Sequence, residues 1–142
     1  MKKQTLLIIA LLMATATRIW ALEPANDTTL TKDDRLVVVW TSGDKEVAMK
    51  MVCLYTFNAM KRGWWKEVTL LVWGPSAKLL SEDEELQEYV KKIKAQGVEL
   101  LACKGCADMY GVEGKLKEIG VTVRYTGMDL TNFIKERHVI TF

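Results

Sequence analysis

Histidine and proline are scarce in these 142 residues: His138 is alone, and the prolines are Pro24 and Pro75. With one histidine no Ser-His-Asp set is readable, and neither a Walker loop nor a G-x-G-x-x-G occurs. A tetrahedral zinc site needs four ligands, and only His138 and Cys53 could supplement the C-x-x-C of Cys103 and Cys106. One chain therefore cannot fill a Cys-rich site alone, though zinc or copper could be shared between subunits. No metal and no cofactor are assigned. Strong charge of one sign is also missing, with 20 basic against 18 acidic residues. That balance gives no electrostatic reason to expect nucleic acid or an anionic membrane as partner.

The N-terminus lacks an apolar run long enough to span a bilayer, which takes ~20 residues. It does have Lys2 and Lys3, an apolar run from Leu6 to Met13, and then small residues. This is the layout of a secretory signal peptide, with Ala14-Thr15-Ala16 and Ala21 as cleavage candidates. Residues 1–21 are thus expected to be removed. Loss of Lys2, Lys3 and Arg18 leaves 17 basic against 18 acidic residues. The mature protein is expected in the periplasm or outside the cell, with no membrane attachment after cleavage. There a C-x-x-C can rest as a disulfide. Residues 22–34 are polar and read as a tail, in which Asn26-Asp27-Thr28 is a formal but short sequon.

From Arg35 to Phe142 strand and helix signals alternate. "LVVVW" (Leu36–Trp40), "VTLLVWG" (Val68–Gly74), "VELLAC" (Val98–Cys103), "VTVRY" (Val121–Tyr125) and "VITF" (Val139–Phe142) are apolar runs without strict alternation. Such runs suit parallel strands buried on both faces. Helical patterns lie between them. "DKEVAMKMVCLYTFNAMKRG" (Asp44–Gly63) starts at Ser42 or Asp44. "SEDEELQEYVKKIKAQG" (Ser81–Gly97) carries a capping box at Ser81 and Glu84 and a stripe of Leu86, Tyr89, Val90 and Ile93. Two shorter helices are expected at Val112–Gly120 and Leu130–Arg137. The order predicts one three-layer α/β/α domain over residues 35–142 with a mainly parallel five-stranded sheet.

In such sheets ligands bind beyond the carboxyl ends of the strands. Trp40, Ser42, Trp73, Ser76 and the C-x-x-C lie there. A helical turn starting near Gly105, together with Lys104, would favour a Cys103 thiolate. Trp40 and Trp73 are better read as caps on the sheet than as ligand contacts. Ser76 and Lys78 could hold an anion or be solvated. Cys53, amid Met51, Val52 and Leu54, reads as core. A thioredoxin-like enzyme would have a proline opposite the motif, later in the chain, and both prolines here lie upstream.

"ACKGCADMYGV" after a strand resembles the cysteine motif of the DsrE/DsrF-like proteins, small α/β subunits of bacterial sulfur metabolism. "VVVWTSGDKEVAMKM", "VTLLVWGPSAKLL" and "YTGMDLTNFIKERHVITF" fit the same outline. The resemblance implies a DsrEFH-like fold and a persulfide-carrying cysteine at Cys103. It also implies a homo-oligomer, a trimer or hexamer, that works with a sulfur donor or acceptor protein. Cys106 would be the partner thiol, and sulfane-sulfur or thiol-disulfide transfer the chemistry. Two other classes stay open: a binding module for a metal or small anion, and an oligomeric interaction protein with an inert cysteine pair. The first long helix supports assembly on its own residues. Val47, Ala48, Met51, Val52, Leu54, Tyr55, Ala59 and Met60 spread beyond the stripe that covering one sheet face requires.

Overall fold

The computed structural model describes residues 29–142. The expected signal peptide and most of the polar tail lie outside that range. The end of the tail, Lys32–Asp34, forms one 3-10 turn, with Thr31 and Asp34 bonded as a capping box. Five strands follow: β1 (Arg35–Trp40), β2 (Glu67–Val72), β3 (Glu99–Cys103), β4 (Thr122–Arg124) and β5 (His138–Thr141). All pair in parallel, in the order β4-β3-β2-β1-β5.

That order explains the layers. The chain steps from β1 to β4 in one direction, and right-handed crossovers put those connecting helices on one face. The return to β5, beside β1, carries its helix across the other face. Alternate residues of each strand serve the two faces. Leu36, Val38, Trp40, Leu70, Val72, Leu100 and Ala102 lie in the large core cluster under the first set of helices. Val37, Val39, Leu71 and Leu101 lie in a smaller cluster closed by Phe133 and Leu130.

The first long helix is continuous but not uniform. It comprises α1 (Lys45–Val47), a π-helical stretch (Ala48–Cys53) and α2 (Leu54–Lys61). Asp44 caps it, accepting from the Val47 N–H, while Ser42 instead accepts from the Asp44 N–H. Ala48, Val52, Cys53, Thr56 and Ala59 are buried. Met51 and Leu54 remain about half exposed, at 48% and 50%, and with Trp64 and Phe142 they line a groove of about 510 Å³. Trp64 stands at 56% exposure against Tyr55 and Arg62, while the Trp65 ring meets His138 at a tilt.

The segment after β2 differs from expectation. It is a helix, α3 (Pro75–Glu82), followed at once by α4 (Glu84–Ala95). Pro75 suits the first turn because its missing N–H has no partner to lose there. Asp83 breaks the two helices apart and caps α4 by accepting from the Leu86 N–H. The expected capping box at Ser81 is thus displaced by two residues, and the Ser81 hydroxyl donates to the Lys78 carbonyl within α3. The stripe on α4 holds, with Leu86, Val90 and Ile93 buried. Three helices complete the fold: α5 (Lys104–Tyr110), α6 (Glu113–Glu118) and α7 (Gly127–Glu136). Among the described residues no helix is long and apolar enough to cross a membrane.

Candidate functional site

Cys103 is the last residue of β3 and the N-cap of α5, which starts without an intervening loop. The strand, with two leucines and an alanine, buries Leu101 and Ala102 completely and carries Cys103 to the carboxyl edge at 8% exposure. Ala107 anchors α5 in the core, and Gly111, at φ 67°, ends it in the left-handed conformation that glycine adopts without strain. Three residues past Cys103, Cys106 faces back toward it. The two thiols share the N-terminal turn of α5, and both are free.

Burial pushes the Cys106 thiol above its ordinary range, and its contact with Cys103 pushes the same way. The Gly74 N–H, donated toward the Cys106 sulfur, opposes this in part. Cys106 therefore keeps its proton to higher pH than an ordinary thiol and can donate it to the Cys103 sulfur. Gly74 reaches this position at φ 72° and ψ −138°, a conformation open essentially to glycine alone. This amide contact was invisible in the sequence because it is made by backbone.

The other expected pocket residues have structural duties. Trp40 is fully buried in the large cluster, and its indole N–H donates to the Ser42 carbonyl at 2.8 Å. Trp73 packs against the smaller cluster. Ser76 is neither solvated nor open to an anion. It is completely buried, donates to the Trp40 carbonyl at 2.6 Å and accepts from the Trp73 N–H at 3.1 Å, tying the ends of β1 and β2 together. Lys104 does not serve the thiols either. Its ammonium meets Asp108 Oδ1 at 2.7 Å and Glu113 Oε2 at 3.0 Å, which raise its proton affinity in that order. The Lys104–Asp108 spacing of one helical turn was readable, and it gives the pairing once α5 is known to be helical. The expected help of Lys104 to a Cys103 thiolate is thus replaced by a clasp that fastens α5 to α6.

A cleft of about 290 Å³ opens nearby among Gly43, Pro75, Lys78, Leu79, Glu82 and Tyr110. Cys53 is elsewhere, fully buried under the first long helix, and desolvation raises its pKa to about 12. His138 sits at the amino end of β5, bonded to Asp33 at 2.9 Å, far along the sheet from the thiols. Among the described residues no group of three or more His, Cys, Asp or Glu could hold a metal ion.

The chain belongs to the DsrE/DsrF-like family, whose model matches residues 34–142. Among solved structures it is similar to a conserved protein of unknown function from Bacteroides thetaiotaomicron. That likeness has 30% identity and a TM-score of 0.77, and covers 80% of this chain and 99% of that one. A protein of unknown function from Methanobacterium thermoautotrophicum shares the fold at 21% identity and TM-score 0.64, covering 78% of this chain and all (100%) of that one. The ychN protein of E. coli shares it at 16% and 0.57, covering 80% and 100%. No curated protein matches the chain.

Proposed function

We propose that this is an exported sulfur carrier in which Cys103 accepts sulfane sulfur and Cys106 resolves it. The observation that carries the reading is the placement of both cysteines where β3 ends and α5 begins, in a chain of this family. A Cys103 thiolate attacks the outer sulfur of a donor persulfide. The donor S–S bond breaks, Cys103 becomes a persulfide, and the donor leaves as its thiolate. An acceptor thiolate then takes that outer sulfur and restores the Cys103 thiolate. When no acceptor arrives, Cys106 attacks the inner sulfur, releasing hydrosulfide and closing a Cys103–Cys106 disulfide that a dithiol partner reopens. Because Cys106 holds its proton strongly, this discharge is slow near neutral pH, and a loaded Cys103 persists long enough to meet an acceptor.

Export rests on the basic, apolar and small-residue layout of residues 1–21. N-terminal sequencing of protein from its native host should find a start near Thr17 or Leu22. An intact Met1 on cytoplasmic protein would overturn it. Assembly is supported by the half-exposed Met51 and Leu54 beside Trp64, an apolar surface on the outer side of the first long helix, and a trimer or hexamer is what the family resemblance implies. The carrier role is tested by intact mass after exposure to a persulfide donor. One added sulfur is expected in the wild type and none in Cys103→Ser.

A further inference from the structure

We propose that Cys103 and Cys106 also form a two-coordinate site for Cu(I), held by one chain. The inference needs only the thiol pair and stands independently of the sulfur-carrier reading. Cys103 caps α5 and Cys106 lies in its first turn, so two sulfurs share one point of the fold, and among the described residues no third His, Cys, Asp or Glu joins them. Asp108 and Glu113 are engaged with Lys104. His138 is bonded to Asp33 at the opposite end of the sheet, and Cys53 is sealed in the core.

Ligand count and ligand softness then select the ion. Zinc takes four ligands in closed sites, and calcium and magnesium take six or more oxygens, so a pair of sulfurs satisfies none of them. Soft thiolates favour Cu(I), a closed-shell ion content with two sulfurs in a line. The surroundings agree. Cys103 is 8% exposed, which keeps water from the inner side of the ion, and Cys106 is half-buried, which leaves an entry. The Gly74 N–H directed at the Cys106 sulfur helps to stabilise the single negative charge that two thiolates around one Cu(I) carry. Binding involves no redox step. Two S–H bonds break, two Cu–S bonds form, and two protons pass to solvent. The same sulfurs cannot hold the metal and carry a persulfide together, so copper and sulfur loading exclude each other.

The test uses the reduced full chain without oxygen, titrated against the coloured Cu(I) complex of bathocuproine disulfonate. Wild type and Cys53→Ala should each withdraw one Cu(I) per chain. Cys103→Ser and Cys106→Ser should each bind more than about 100-fold more weakly, beyond the loss caused by removing a group that merely orients a ligand. Circular dichroism checks that both variants remain folded. X-ray absorption of the wild-type complex should show two sulfur neighbours. Failure of the wild type to compete, or unchanged binding by Cys106→Ser, would overturn the site. So would one copper per two or more chains with a larger particle mass, which would place the ion between subunits. Sulfur loading, measured by mass in the absence of copper, is read separately, so either proposal can fail alone.

Discussion

Three cysteines occupy three environments, and the differences decide their chemistry. Cys53 has no exposed surface, and with its pKa raised to about 12 it stays a thiol at any physiological pH. Cys103 reaches the edge, and Cys106 supplies it with a hydrogen-bond donor. Alkylation of the reduced native protein should label Cys103 well before Cys53, and equal labelling would contradict the assignment. Cys106→Ser should still load sulfur but should accumulate mixed disulfides, since no neighbouring thiol can release them. Cys53 also makes stability fall with pH. Above about pH 9 the unfolded chain loses this proton while the folded chain keeps it until about pH 12. Across that window stability drops by up to about 1.4 kcal/mol per pH unit. Urea unfolding of Cys53→Ala should show a flatter decline there, and parallel curves would refute the burial argument.

At the scale of elements, the junction of β2 and α3 governs the site. Gly74 turns the chain so that its amide meets Cys106, and Ser76 locks the neighbouring strand ends. Gly74→Ala forces a side chain into a conformation that costs about 1–3 kcal/mol and withdraws the amide. Its discharge step should therefore differ from wild type even where thermal unfolding shows it folded. An unchanged rate of disulfide closure would remove Gly74 from the site. Asp83→Ala should lower stability by about 1 kcal/mol through loss of the α4 cap, without altering sulfur loading. The strands and the cysteine pair were legible because apolar runs and C-x-x-C spacing are written in side chains. The α3–α4 break was not, because Ser81 and Glu84 match a capping box that the neighbouring Asp83 outcompetes. Ser76 looked like a loop residue because its burial depends on β1, which lies distant in sequence. Gly74's contribution is a backbone N–H, and no side-chain pattern announces it.

For the whole molecule, the sheet order places one layer of helices over one face and α7 over the other, with Cys103 buried and Cys106 half-buried at the carboxyl edge of β3. It also leaves Met51, Leu54 and Trp64 on the outside. An apolar surface of this kind is best covered by another copy, and closed symmetric assemblies are the usual solution. Light scattering of protein lacking residues 1–21 should give the mass of a trimer or hexamer. Leu54→Glu should shift it toward monomer with the fold retained. A monomeric wild type at micromolar concentration would remove the assembly.

That Cys103 is the sulfur-accepting group is tested by intact mass of protein reduced beforehand, freed of reductant, and incubated anaerobically with a persulfide donor without metal. One added sulfur is expected on wild type, Cys53→Ala and Cys106→Ser, and none on Cys103→Ser. Full loading of Cys103→Ser, or no loading of the wild type, would contradict it.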